Sequence, residues 1–188
     1  MTPDRYVPAV RLPAYAFVPG KNPHPFTDPR GHKFGQRHEP VAALNAELPR
    51  TSREFLVGID LFNAGYFWEA HETWEGLWIA AGRKGISADF VKGLIKLAAA
   101  GVKTLQGNSV GARRHAHRAA ELFHMVQRQC PTTQILYAGL AFIELIETAQ
   151  KLENQSRIDE ARLKIDLTVI PARLILRDHP PEDHQRFQ

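Results

Sequence analysis

The chain has 188 residues, 44% hydrophobic and 23% charged, which suits one globular domain with a sizeable core and argues against global disorder. A net charge of +4 and a pI near 9.4 are only mildly basic, too little to indicate nucleic-acid binding without concentration on one face. A single cysteine, Cys130, excludes an internal disulfide framework and fits a reducing cytoplasm. No apolar run approaches a membrane span, and MTPDRYVPAVRLPAYAF lacks the pattern of a signal peptide, so a cytoplasmic protein is expected.

Proline divides the chain. Nine of the 13 prolines fall in residues 1–50 and none between Pro49 and Pro131. A proline inside a helix costs about 3 kcal/mol, so the first fifty residues cannot carry a long helix whereas the next eighty can. Residues 1–50 are read as an extended, proline-rich arm, laid on the body by Tyr6, Tyr15, Phe17, Phe26 and Phe34. Within it, PHPFTDPRGH places His24, Asp28 and His32 four residues apart. A turn built on Asp28-Pro29 and Gly31 accounts for these residues, and presentation of His24 and His32 as metal ligands by a stiff loop is the competing reading.

Residues 51–155 are read as the helical domain. A first helix runs from about Ser52, a capping residue, to Asn63, before Ala64-Gly65. A second covers Tyr66 to Ala81 and ends at Gly82. The third is capped by Ser87 and runs to Gln106, closed by Gly107-Asn108. The fourth spans Ser109 to Gln129, stopped by Pro131, and the fifth Thr133 to Glu153. Residues 156–188 form either a short sixth helix or an extended apolar tail, with a frayed end. Gly65 with Ala70 and Gly107 with Ala112 repeat one construction, a glycine between helices followed by a small residue at the crossing. The expected fold is all-α: a compact antiparallel bundle of about five helices, arranged as tetratricopeptide-like helix pairs with short connections.

The second helix holds all three tryptophans and a His-Glu cluster in FNAGYFWEAHETWEGLW. At about 100° per residue from Phe67, residues Ala70, Trp74, Leu77, Trp78 and Ala81 fall within roughly 80° and form the core stripe. His71 lies at about 40° and Glu75 at about 80°, one turn apart on the flank of that stripe. Glu72 and Glu69, at about 140° and 200°, face solvent unless the arm covers them. On the fourth helix His115 turns inward, while Arg113, His117, His124 and Arg128 line an outer stripe best read as a solvated face. The third helix is apolar nearly all round, with Lys92, Lys96 and Lys103 in one narrow stripe, and is therefore the central helix.

HETWE is not the zinc-protease HExxH, because Glu75 stands where the second histidine belongs. The di-iron Glu-x-x-His signature is absent too, since Trp68 occupies the glutamate position. His71 and Glu75 at i and i+4 can still share a divalent metal ion, with Glu72 or His115 completing the set. Three readings stay open: a structural His-Glu hydrogen bond, a metal or catalytic site in which Glu72 or Glu75 acts as general base, and a polar-ligand pocket using Trp78, Asn63 and His115. Cys130 before Pro131 has no partner signature of a nucleophile.

These residues also resemble a known family. FNAGYFWEAHETWEGLW followed by GLIKLAAAGVKTLQGNSVGARR is similar to the domain of unknown function 309 family of small helical proteins. The resemblance rests on Phe62, Asn63, Gly65, Phe67, Glu69, Ala70, His71, Glu72, Glu75 and Trp78, then on Gly93 to Ala112 including Gly107, Asn108, Gly111 and Ala112. With the arm segment PGKNPHPFTDPRGH it covers roughly residues 12–125. Lys96 departs from the glutamine the family pattern carries. The resemblance implies an all-helical fold with no established activity. Two functions of different class follow: a bundle whose His/Glu site binds a metal or small polar ligand, and a non-catalytic module for a protein partner in which the cluster only fixes helix packing.

Overall fold

In the computed structural model, residues 5–37, 39–158 and 173–177 are described. The helices are α1 (Arg53–Asn63), α2 (Phe67–Ala80), α3 (Ile86–Leu105), α4 (Ser109–Gln129) and α5 (Phe142–Ile158), preceded by a 3₁₀ turn at Pro49–Thr51. Each helix packs on the next in order, and α3 also meets α5, so α3 is the centre of an all-helical bundle. Its apolar circumference follows from that position: Phe90, Leu94, Leu97, Ala98 and Ala100 are all fully buried. No helix is long and apolar enough to cross a membrane, among the described residues.

Local chemistry explains the boundaries. The Ser52 hydroxyl caps α1 by accepting from the Phe55 N–H, and the Asn108 side chain caps α4 from the Gly111 N–H. Gly65 and Gly107 both hold positive φ, 83° and 72°, and the alanines five residues on, Ala70 and Ala112, are fully buried. The repeated glycine–alanine construction therefore does what its spacing implied. Two helix ends need correction. The α3 N-cap is Gly85 rather than Ser87, because Gly85 at φ 89° turns the chain and lets Ile86 enter the helix; the Ser87 hydroxyl donates to the Leu44 carbonyl instead.

The fifth helix starts later than expected. A short hairpin precedes it, β1 (Leu136–Tyr137) paired antiparallel with β2 (Leu140–Ala141), in register Leu136 with Ala141 and Tyr137 with Leu140. Its two-residue turn, Ala138-Gly139, has φ of 48° and 75°, the doubly left-handed conformation that matches strand twist. The hairpin's backbone is extended by the chain end: the Arg177 N–H donates to the Gly139 carbonyl. Residues 173–177 have no regular secondary structure, with Leu174 and Leu176 buried against the core. The proposed sixth helix lies outside the described residues.

The arm is packed on the body without helix. Phe17, Val18 and Leu44 are buried. Two carboxylates of the body hold it. Asp60, buried on α1, accepts from the Tyr6 and Val7 N–H groups, each at 2.8 Å, with the Arg5 guanidinium 3.6 Å away. Glu69 on α2 accepts from the Phe17 N–H at 2.9 Å. Phe17, His24 and Phe26 then surround the Trp68 ring at centroid distances of 5.0, 5.5 and 6.1 Å.

Candidate functional site

The outer edge of α2 carries the clearest convergence of ligand-type atoms. Among the described residues, His71, Glu72 and Glu75 each offer one nitrogen or oxygen, and these atoms all lie within 4.8 Å of one another. The helix sets this arrangement by itself, since i and i+4 stand one above the other and i+1 borders them. His71 Nε2 is 4.0 Å from the nearer Glu75 oxygen. All three side chains are half-buried.

Beside them opens a cavity of about 740 Å³ between the arm, α1 and α2. Glu72, Thr73, Glu75 and Gly76 form its α2 wall, Glu54 comes from α1, and Lys33, Glu39, Pro40 and Val41 come from the arm. Four carboxylates face one ammonium there, so the field inside favours cations. The helical wheel reached the α2 residues, but nothing in sequence spacing pointed to the contributions of the arm and of α1.

The other candidates go elsewhere. His32 of the arm lies beside Glu69, with Nε2 3.6 Å from a Glu69 oxygen and its ring edge-on to Tyr15. The contact has ion-pair spacing, yet burial acts against both charges. It pushes the Glu69 carboxyl up, only partly offset by the Phe17 N–H, and it pushes the His32 imidazole down. His32 is therefore held chiefly as a packed neutral ring. His24 accepts the Phe26 and Thr27 N–H groups at Nδ1, each at 3.3 Å, a turn-closing role, and packs on Trp68. Asn63 exchanges two hydrogen bonds with the Leu174 backbone, at 2.8 and 3.0 Å, clasping the chain end to α1. Glu69, expected to face outward unless covered, is covered: its side chain is 1% exposed.

Trp78 of α2 and His115 of α4 are half-buried, and neither is part of the His71, Glu72 and Glu75 set. The Arg83 guanidinium and the Lys92 ammonium each approach the Trp78 ring at 5.4 Å, and its buried Nε1 has no protein hydrogen-bond partner. His115 is half-buried, and its imidazole is held down first by burial and then by Lys96, Lys103, His71 and Arg114.

Residues 55–115 match the family model described as Domain of unknown function (DUF309). That stretch runs from α1 through α2 and α3 into the first third of α4, and it includes His71, Glu72, Glu75, Trp78 and His115. The resemblance seen in the sequence is thus supported over the helices that build the candidate site; the arm lies outside the matched residues. Comparison with curated proteins and with solved structures found no match.

Proposed function

We propose that this DUF309-like bundle is a metal-binding module, in which His71, Glu72 and Glu75 hold a divalent transition-metal ion at the edge of α2. The observation that carries this reading is the mutual approach of three ligand atoms within 4.8 Å. Ligands around an ion at about 2.0–2.2 Å stand roughly 3–3.5 Å apart, so small side-chain rotations on a rigid helix close the set. One imidazole and two carboxylates suit zinc or a similar borderline ion rather than calcium. Three protein ligands leave a coordination position open, and a small polar ligand reaching it through the acidic cavity is the partner this site favours. A reducing cytoplasm, where the half-buried Cys130 stays a thiol, is the setting consistent with this chemistry.

The alternative, an interaction module in which the His-Glu pair serves packing alone, draws less support from exposure. The His71 and Glu75 side chains are 28% and 42% exposed at 4.0 Å, and such a pair contributes at most a few tenths of a kcal/mol to a helix. Among the described residues, Asp60 and Glu69 are carboxylates that are buried and hydrogen-bonded to the arm. Calorimetric titration of metal-stripped protein with zinc and manganese tests the proposal. Saturable binding at one site, weakened at least tenfold by His71→Ala, is expected; no binding by the wild type, or equal binding by the variant, overturns it.

A further inference from the structure

The segment Leu174–Arg177 rests in a seat assembled from distant parts of the sequence. The Asn63 side chain, at the end of α1, accepts from the Leu174 N–H at 2.8 Å and donates to the Leu174 carbonyl at 3.0 Å. The Tyr6 hydroxyl of the arm accepts from the Leu176 N–H at 2.8 Å, and Tyr6 is itself fixed through its N–H by the buried Asp60. In the hairpin turn the Gly139 carbonyl accepts from the Arg177 N–H at 2.8 Å. The Arg177 guanidinium pairs with Glu144 in the first turn of α5, so charge as well as shape fits the segment to its seat.

Burial alternates along the segment. Leu174 and Leu176 are 4% and 7% exposed, whereas Ile175 between them is 49% exposed. Close approach at the turn depends on Gly139, where a Cβ would stand 3.0 Å from Leu176 Cδ2 and 3.1 Å from the Arg177 carbonyl oxygen. Main-chain hydrogen bonds combined with pockets for alternate side chains are a mode by which one chain recognises a peptide segment of another. All of these contacts run between residues 174–177 and the seat, so they form equally well whichever copy of the chain supplies the segment. The connection does not bind it to its own bundle. Fourteen residues, 159–172, separate α5 from Arg173. At full stretch fourteen residues reach about 46–50 Å, against about 31 Å for α4, the longest helix.

We infer that this seat is an interface between two copies of the chain, in which Leu174–Arg177 of each copy fills the seat of the other by reciprocal exchange. The exchange closes with two-fold symmetry, since both seats are filled and each bundle keeps the contacts it has alone. Tethering presents the chain's own segment at an effective concentration in roughly the millimolar range, so the pair gains population as protein concentration approaches that value. The seat shares no residue with the metal set on α2, and its test is independent of that proposal.

Two full-length variants test the exchange, one with a weakened seat, Asn63→Ala, and one with a spoiled segment, Leu174→Asp with Leu176→Asp. Sedimentation of the 1:1 mixture should show a heterodimer, because the sound segment of the first enters the sound seat of the second, and each variant alone should self-associate at least tenfold more weakly. A mixture that stays monomeric at about 1 mM overturns the inference. Self-association of the spoiled-segment variant as strong as the mixture also overturns it, since that places the contact elsewhere. A labelled peptide of residues 172–178 tests the same seat on the wild-type chain without any variant protein. It should bind saturably in competition with the chain's own segment; its Ile175→Asp form should bind as well, and its Leu176→Asp form at least tenfold more weakly. Equal binding of the two altered peptides, or no saturable binding of the parent peptide, overturns the inference.

Discussion

Replacing Asp60 with alanine removes both anchors of the N-terminal end of the arm. Two backbone N–H groups, of Tyr6 and Val7, each donate to a different Asp60 oxygen at 2.8 Å, and the carboxylate is buried. A hydrogen bond to a charged acceptor contributes about 1.5–3 kcal/mol, so the pair accounts for roughly 3–6 kcal/mol if both N–H groups stay dry in the variant. They lie in a partly buried layer and can regain water when the arm lifts, which places the expected loss near the lower end, about 3 kcal/mol. For a chain of this size that corresponds to a fall in Tm of roughly 6–12 °C. Asp60→Asn keeps one acceptor oxygen and should lose about half as much. Urea and thermal unfolding followed by circular dichroism give the stability, and limited proteolysis within residues 5–20 reports arm release. A loss below about 1 kcal/mol for Asp60→Ala, with an unchanged cleavage pattern, would refute the claim that this carboxylate docks the arm.

Two further outcomes follow from packing and from burial. A Cβ at Gly58 would sit 2.1 Å from the Trp74 indole nitrogen, and Trp74 is fully buried, so Gly58→Ala should cost about 3 kcal/mol in urea unfolding, whereas an effect under about 0.5 kcal/mol would show that the indole has room to move. Glu69 has its carboxyl raised above 4.5 chiefly by burial, so its contribution to stability is fullest below that pH and is lost as the pH rises through the folded-state value. His32 acts the opposite way: lowered beneath 6.5 by burial, it contributes fully above that pH and loses stability as the pH falls. Glu69→Gln should therefore gain stability relative to wild type as the pH is raised from 4.5, measured by melts across the range; a flat difference would contradict burial as the cause.

Most helix ends were legible because the sequence states them with proline and glycine. The long proline-free interval from Pro49 to Pro131, Ser52 at the start of α1 and the glycines at 65, 82 and 107 speak locally, and local backbone preference decided those boundaries. The hairpin before α5 was not legible, since Ala138-Gly139 lacks the asparagine or aspartate that usually marks such a turn, and its flanking residues are equally at home in a helix. On α2 the wheel ordered His71, Glu75 and Glu72 around the helix, because neighbours on one helix need no tertiary knowledge. It could not decide between exposure and burial of Glu69, whose surroundings come from Phe17 and His32, some fifty and forty residues away in the chain. Asp60 was overlooked although a signal was present: one carboxylate inside the apolar run FLVGIDLF must find donors if that face is buried. Asn63 shows the converse, a polar residue that fitted a ligand pocket by type and is engaged by the Leu174 backbone.

The most direct test of the metal-binding account is anomalous diffraction from crystals grown or soaked with zinc, recorded on either side of the zinc edge. The account predicts one strong anomalous peak at the edge of α2, within about 2.3 Å of His71 Nε2 and of oxygens from Glu72 and Glu75. A map with no peak there at full zinc occupancy elsewhere, or with zinc bound only under the arm at His24 and His32, would contradict it.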